Sequence, residues 1–217
     1  MVLCTAALVF AQEASETGAK TAAPAIGLGA RFAIGYGMIW GLEDDWSGSE
    51  NDENPGGIDL EGGAMGRIVL TPLIHFTPEL LFRYANYSQD DDFGERKFTQ
   101  MDLEIPLLIR ANATPKFYAY IGPQLGLNLS SDVTLEANVS AKVPGGSSTH
   151  SISEEIEHAV FSFGVAVGAG YYVIENLAID LRVGFGLSEL YPDSNGFVDL
   201  GGARDLSFKL GVNYWIL

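Results

Sequence analysis

Between residues 101 and 110 the chain reads MDLEIPLLIR, and apolar and polar side chains take turns. Met101, Leu103, Ile105, Leu107 and Ile109 share one face of a two-residue period, with Gln100, Asp102, Glu104, Leu108 and Arg110 on the other. A helix would bring together positions three and four apart, whereas a strand sends neighbours to opposite sides. ANATP (111–115) is a polar break ending in proline, a turn signal. The alternation then resumes, with Phe117, Ala119, Ile121, Leu125, Leu127 and Leu129 against Tyr118, Tyr120, Gly122, Gln124, Gly126 and Asn128. The spacing predicts a hairpin with one oily face and one polar, glycine-rich face.

The same parity runs along the rest of the chain. It predicts strands at 26–40, 58–70, 74–87, 159–173, 176–190 and 205–217, flanking the two of the hairpin. The first sets Ile26, Leu28, Phe32, Ile34, Tyr36, Met38 and Trp40 against Gly27, Gly29, Arg31, Ala33, Gly35 and Gly37. In the others the polar face carries Asp59, Glu61 and Arg67, then His75, Glu79 and Arg83, and finally Asp180, Arg182 and Lys209. The connections alternate in kind. TPL (71–73), ANATP and IEN (174–176) are short, while 41–57, 88–96, 131–158 and 191–204 are longer and mostly acidic or polar. The long link at 131–158 contains two further alternating runs around PGG (144–146), so the strands on either side of it are expected to continue as a hairpin beyond the barrel.

Short turns at one rim and long loops at the other are the order of an up-and-down barrel. Alternation alone does not say which face points inward, because a soluble barrel alternates too. The polar face is rich in Gly and Ala, which suits a narrow lumen, and it carries charges of both signs that can neutralise one another. The oily face is bulky and aromatic along nearly every strand, as a lipid contact requires. The expected fold is all-β: an eight-stranded antiparallel up-and-down transmembrane β-barrel with short periplasmic turns and long extracellular loops.

Composition sharpens this picture. The 217 residues carry a formal charge of −16, which excludes nucleic acid as a partner, since that needs clustered Lys and Arg. Hydrophobic residues make up 47% and charged ones only 18%. The acid is concentrated between the apolar segments, with six carboxylates in 42–57 and a second group in QDDDFGE (89–95). No run reaches the roughly 18 apolar residues of a membrane helix. MVLCTAALVFAQEA resembles an export signal cleaved after Val9-Phe10-Ala11, although no Lys or Arg precedes it. The expected division is a signal peptide over 1–11, a linker over 12–25 and the barrel over 26–217. Removal of 1–11 would take with it Cys4, the chain's single cysteine.

Several phrases resemble the PorT-like outer-membrane β-barrel domains, relatives in architecture of OmpX-type eight-stranded barrels. They are TPELLFRYANYS (77–88), MDLEIPLLIR (101–110), FYAYIGPQLGLNLS (117–130) and VAVGAGYYVIENLAIDLRVGFGLSEL (165–190). The resemblance implies an integral outer-membrane location and, by analogy, a part in protein secretion across that membrane. The end of the chain resembles an outer-membrane assembly signal. Lys209, Gly211, Tyr214 and Ile216 take its polar, glycine, aromatic and hydrophobic positions, with Leu217 where an aromatic is usual.

The concentrated polar feature is the set of inward charges: Arg31, Glu61, Arg67, Glu79, Arg83, Asp102, Glu104, Arg110, Asp180, Arg182 and Lys209. About eight strands leave an interior that side chains fill. Buried charges need partners, so these residues are expected to pair and plug the lumen; a ligand or proton path is the competing use. Catalysis has thinner support. His150, Ser151, Ser153 and His158 share a long link with Glu154, Glu155 and Glu157, but no recognisable spacing joins nucleophile, base and orienting group. No catalytic residue is assigned. Asp44, Asp45, Asp52, Asp90, Asp91 and Asp92 are candidate ligands for Ca²⁺ or Mg²⁺ without the spacing of an EF-hand loop. Gly168 and Gly170 lack a third glycine where Val173 stands, so there is no dinucleotide fingerprint, and no cofactor or resident metal is expected.

The resulting reading is a non-enzymatic outer-membrane barrel with a plugged lumen and acidic external loops. It would serve envelope structure, surface interaction or a larger assembly as an accessory subunit. Expected partners are outer-membrane lipid, the barrel-assembly machinery during insertion, and a protein at the loops or periplasmic rim. The alternatives are a lipid-modifying enzyme using loop His and Ser, a soluble lipocalin-like ligand-binding barrel, and a passive pore.

Overall fold

The computed structural model describes residues 26–41, 54–91, 94–139, 148–155, 160–190 and 202–216, with 89–91, 94–96, 132–139 and 148–155 described through the backbone alone. Regular structure among them is entirely strand: β1 (Ile26–Trp40), β2 (Gly56–Val69), β3 (Ile74–Asp91), β4 (Gly94–Asn112), β5 (Phe117–Val139), β6 (Ser148–Glu155), β7 (Phe161–Ile174), β8 (Leu177–Gly186) and β9 (Arg204–Trp215). Each strand pairs antiparallel with its neighbours, β4 with β5 and β1 with β9 included, so that β1–β5 and β7–β9 close into a ring of eight. Closure leaves no backbone edge facing lipid, where an unpaired amide would cost several kcal/mol. The expected signal peptide and linker lie outside the described residues.

Two of the short turns use one local device. Thr71-Pro72-Leu73-Ile74 and Thr114-Pro115-Lys116-Phe117 repeat the order Thr-Pro-x-apolar. Thr71 Oγ1 accepts from the Leu73 and Ile74 amides at 3.3 and 3.0 Å, and Thr114 Oγ1 accepts from those of Lys116 and Phe117 at 3.3 and 2.9 Å. Proline fixes the backbone of the next position while the hydroxyl caps the amides beyond it. These turns, with Glu175–Asn176 between β7 and β8, define one rim.

The opposite rim is uneven. A tilted strand needs about 9–11 residues to cross a bilayer, yet β3, β4 and β5 have 18, 19 and 23. Their excess lies on the long-loop side. The expectation of a loop over 88–96 is corrected there: β3 and β4 stay paired through Ser88↔Lys97 and on to Asp91↔Gly94. The acidic composition misled, because a ladder is held by backbone groups and a charged sequence does not end it. β5 leaves β7 at Leu127 and is joined from Asp132 to Val139 by β6, giving the projecting hairpin the sequence suggests. A bulge marks the exit. Met101 pairs Ser130 but Asp102 pairs Asn128, so Leu129 is the extra residue. It shifts the parity of β5: Leu129 faces out, and two positions later Ser131 is buried. A bulge of this kind bends and twists a strand locally.

The outer surface is apolar throughout the described ring, with Leu28, Phe32, Ile34, Leu80, Ile121, Leu181 and Leu210 among the exposed residues. Aromatic side chains gather towards both ends. Phe117, Tyr171 and Tyr214 lie near the short turns, with Tyr36, Phe161 and Phe208 towards the far rim. A large exposed apolar belt between aromatic girdles is what a bilayer covers. Leu181, at mid-strand in β8 and 65% exposed, stands at the centre of this belt. Its replacement by arginine (Leu181→Arg) is expected to destabilise the barrel by about 2–4 kcal/mol, the penalty for a midplane cation. Denaturant unfolding in lipid vesicles measures this, and Leu181→Ala serves as the size control.

Candidate functional site: the charged lumen

From Ser162 to Gly170 the inward positions of β7 are small, while Tyr118 and Tyr120 on the neighbouring β5 are large. A Cβ on Gly168 or Gly170 would collide with the Tyr120 or Tyr118 ring, so these glycines make room for two lumen tyrosines. On β9, Gly211 does the same for the Arg31 guanidinium, whose Nη1 would lie 2.6 Å from an added Cβ, and for Asp180. Charge enters from β1, β2, β3, β4, β8 and β9 and meets in the middle.

Glu61 is the hub. Its two carboxylate oxygens accept from Arg31 Nε at 2.6 Å and from Lys209 Nζ at 2.7 Å. Arg31 extends to Asp180 at 2.7 and 2.8 Å and to Asn213 Oδ1 at 3.1 Å. Tyr120 donates its hydroxyl to Asp180 and accepts from Arg182 Nε at 3.1 Å. Arg182 grips Glu79 with both terminal nitrogens, at 2.8 and 2.9 Å, and stands 3.6 Å from Glu61. A planar fork on a carboxylate is the strongest form such a pair takes.

A second knot lies towards the long-loop side. Arg83 donates to Asp59 at 2.9 and 2.7 Å, to Asp205 at 3.0 Å and to the Tyr87 hydroxyl. Tyr87 in turn donates to Asp205 at 2.9 Å. Lys209 stands 3.3 Å from Asp59, which ties this knot to Glu61. Asp102 and Glu104 sit at its margin, each 3.6 Å from Arg83, and Glu104 is 3.8 Å from Lys209. Asp102 also accepts from Asn128 at 2.9 Å. Glu104 Oε2 is buried without a hydrogen bond among the described residues.

Arg67 and Arg110 depart from the expected pairing. Neither has a carboxylate within 4 Å among the described residues. Arg110 lies over the Tyr118 ring at 3.4 Å and donates to the Tyr172 hydroxyl and to Asn112 Oδ1 at 3.2 Å. Arg67 lies over the Trp215 ring at 4.6 Å. Both belong to the short-turn end, where the inward neighbours are aromatic and the ring face takes the place of an anion.

Of the assembly-signal residues, Lys209 and Gly211 face the lumen, while Tyr214 and Ile216 are exposed on the lipid side. Parity reasoning missed the charge of Asp205 and the parts of Tyr87, Tyr118, Tyr120 and Asn213, and it placed Asp59 inward without counting it among the charges. Asp205 was legible: it stands four positions before Lys209, on the same face.

Beside the knots the lumen holds cavities of about 40 Å³, next to Arg83, Glu104 and Asp205, and about 10 Å³, next to Glu79 and Arg110. The smaller is about the size of a single water site. Among the described residues no group of His, Cys, Asp and Glu is arranged to hold a metal ion. His75 sits at the short-turn rim within 3.2 Å of the Asn112 amide. His150, Ser151 and Ser153 fall on β6, described through its backbone alone, as are Asp90 and Asp91; His158, Asp44, Asp45, Asp52 and Asp92 lie outside the described residues.

Comparison with known proteins agrees with the barrel fold. Residues 10–191 match the family model described as outer membrane protein beta-barrel domain. No curated protein matches the chain. Among solved structures, Neisserial surface protein A is 10% identical, with 86% of this chain and 96% of that one covered and a TM-score of 0.50. Ail, the attachment invasion locus protein of Yersinia pestis, is 15% identical over 88% of this chain and 99% of its own, with a TM-score of 0.37. The outer membrane protein OprG of Pseudomonas aeruginosa is 12% identical over 89% and 96%, with a TM-score of 0.36. At such identities the likeness is one of fold.

The Glu79–Arg182 fork is the pair best suited to a double-mutant cycle. Glu79→Leu alone is expected to cost about 3–5 kcal/mol, because it leaves the guanidinium short of its principal partner. Adding Arg182→Met should recover a large part of that loss. Chemical unfolding of the reconstituted protein measures both, and strictly additive losses would contradict the pairing.

Proposed function

We propose, from the premise that the chain belongs to the outer membrane protein beta-barrel domain family, that it is a non-conducting, non-enzymatic barrel that presents the β5–β6 hairpin to a protein partner at the cell surface. The observation that carries this reading is the joint presence of a lumen tied shut by Glu61 and Arg83 and a sheet that continues beyond the ring. A conducting path needs continuous water, and the knots interrupt it. The projecting hairpin has β5 on one side of β6, so the other edge of β6 offers backbone donors and acceptors to an added strand. The acidic links at the same rim favour a partner with basic surface. A part in secretion, which the PorT-like resemblance implies, would follow if that partner belonged to a secretion assembly.

Two measurements test the proposal. Planar-bilayer recordings of the purified protein are expected to show no steady conductance; a stable open level would overturn the plugged-lumen reading. Mild extraction from native membranes followed by native mass spectrometry is expected to retain a stoichiometric partner. Deletion of 132–155 should abolish that partner while the barrel still shifts on heating in electrophoresis. Retention of the partner without the hairpin would remove the hairpin from its role.

A further inference from the structure

Positive charge in this lumen is handled in two ways. Arg31, Arg83, Arg182 and Lys209 each have two or more carboxylates within 4 Å. Arg67 and Arg110 have none among the described residues, although both are close to the same side chain. Their guanidinium carbons stand 4.6 and 5.9 Å from the centre of the Trp215 ring. Two like charges are therefore held against one indole at the short-turn end. Stacking offsets part of the desolvation of each cation but does not neutralise it. Arg110, only 3% exposed, satisfies part of its fork with Tyr172 and Asn112. Arg67 makes no hydrogen bond among the described residues. The Trp215 indole N–H is likewise buried without a partner there.

Of these groups Arg67 borders an open cavity of about 890 Å³ between the three short turns, the largest of those described in this chain, and the Arg110 partners Tyr172 and Asn112 stand in its wall. Arg67, His75, Asn112, Lys116 and Tyr172 line it, and Glu175 is the carboxylate among its walls. Lys116 adds a cation from the β4–β5 turn, near the Tyr171 ring and without a carboxylate within 4 Å among the described residues. The mouth is thus net positive in a chain whose formal charge is −16. Its forked donors and aromatic faces suit a planar or tetrahedral oxyanion.

We propose that the short-turn mouth of the barrel is a binding site for an oxyanion carrying two or more negative charges, a phosphate ester or a polycarboxylate, held by Arg67 and Lys116 with Arg110 behind them. In an outer-membrane barrel this mouth opens on the periplasmic side, where short turns lie. The same chemistry is offered by a soluble periplasmic anion and by the phosphate of an inner-leaflet lipid headgroup. Arg67 and Lys116 determine the affinity, because each is accessible and without a described acidic partner. Arg110, stacked and buried, sets the potential against which they act. Screening by salt should weaken such a site steeply, as it does any contact between accessible charges.

The reporter is the Trp215 indole resonance of the ¹⁵N-labelled protein in phosphatidylcholine nanodiscs, assigned through Trp215→Phe. Titration with citrate and with inorganic phosphate at low salt is expected to shift it saturably. Affinity should fall at least 10-fold in Arg67→Gln and in Lys116→Gln, with heat-modifiability unchanged. A shift in neutral nanodiscs identifies a soluble anion as sufficient. A shift only when phosphatidylglycerol is included, again lost in Arg67→Gln, identifies the headgroup. No saturable shift in either membrane, or equal affinity in the variants, would overturn the proposal.

Discussion

Glu61 is the residue on which the interior depends. A carboxylate at the centre of a closed strand ring has lost its hydration, and an isolated charge there would be untenable. Arg31 and Lys209 restore it, and each reaches Glu61 from a different strand, β1 and β9. Those two strands meet at the seam where the ring closes, between residues far apart in sequence. The charge bonds also skip over backbone neighbours: Arg31 on β1 reaches Asp180 on β8, and Arg182 on β8 reaches Glu79 on β3. Backbone ladders tie each strand only to the next. The side-chain network ties the ring across its diameter, so closure and the interior require one another.

The period-two pattern made the barrel legible because a membrane barrel has only two environments and each strand must alternate between them. Arg31, Glu61, Glu79, Arg83 and Lys209 could be placed inside from parity alone. Which of them would bond to which could not. Partners such as Arg83 and Asp205 are 122 positions apart and meet only through ring closure and strand stagger. The bulge at Leu129 was illegible for a related reason, since an extra residue changes register without leaving a compositional mark. The loop expected over 88–96 gives way to a paired strand because acidity is not a loop signal by itself: ladder formation is a backbone property. Parity and charge predict ion pairs for Arg67 and Arg110, yet Tyr118, Tyr172 and Trp215 lie on the inward face beside them. Aromatics at inward parity near a turn were the available signal.

Charge is also sorted along the barrel axis. Carboxylates such as Asp102, Glu104 and Asp205 gather towards the long-loop side, where the acidic links begin. The lumen cations that have no carboxylate within 4 Å among the described residues, Arg67 and Arg110, gather at the short turns. The two ends therefore differ in electrostatic sign as well as in loop length. A mouth of one sign concentrates ligands of the other. The two ends of this molecule therefore offer different electrostatic surfaces, with the Glu61 and Arg83 networks between them.

An apolar lumen would have been simpler to desolvate, and buried ion pairs are a poor source of net stability when compared with well-packed hydrophobic side chains. Their value here lies in register. A strand apolar on both faces would bury equally well after a slip of one residue, because nothing would distinguish inside from outside. With Arg31, Arg83, Arg182 and Lys209 on the inner face, a slip carries each of these cations into lipid. The penalty is about 2–4 kcal/mol for each cation near the midplane. It comes in addition to the carboxylates left unpaired inside. The same slip would press bulky outer side chains against Tyr118 and Tyr120, where Gly168 and Gly170 leave space only for the rings. Charge and glycine therefore enforce the same choice of face by independent means, and the network that closes the lumen also fixes the register of the strands that build it.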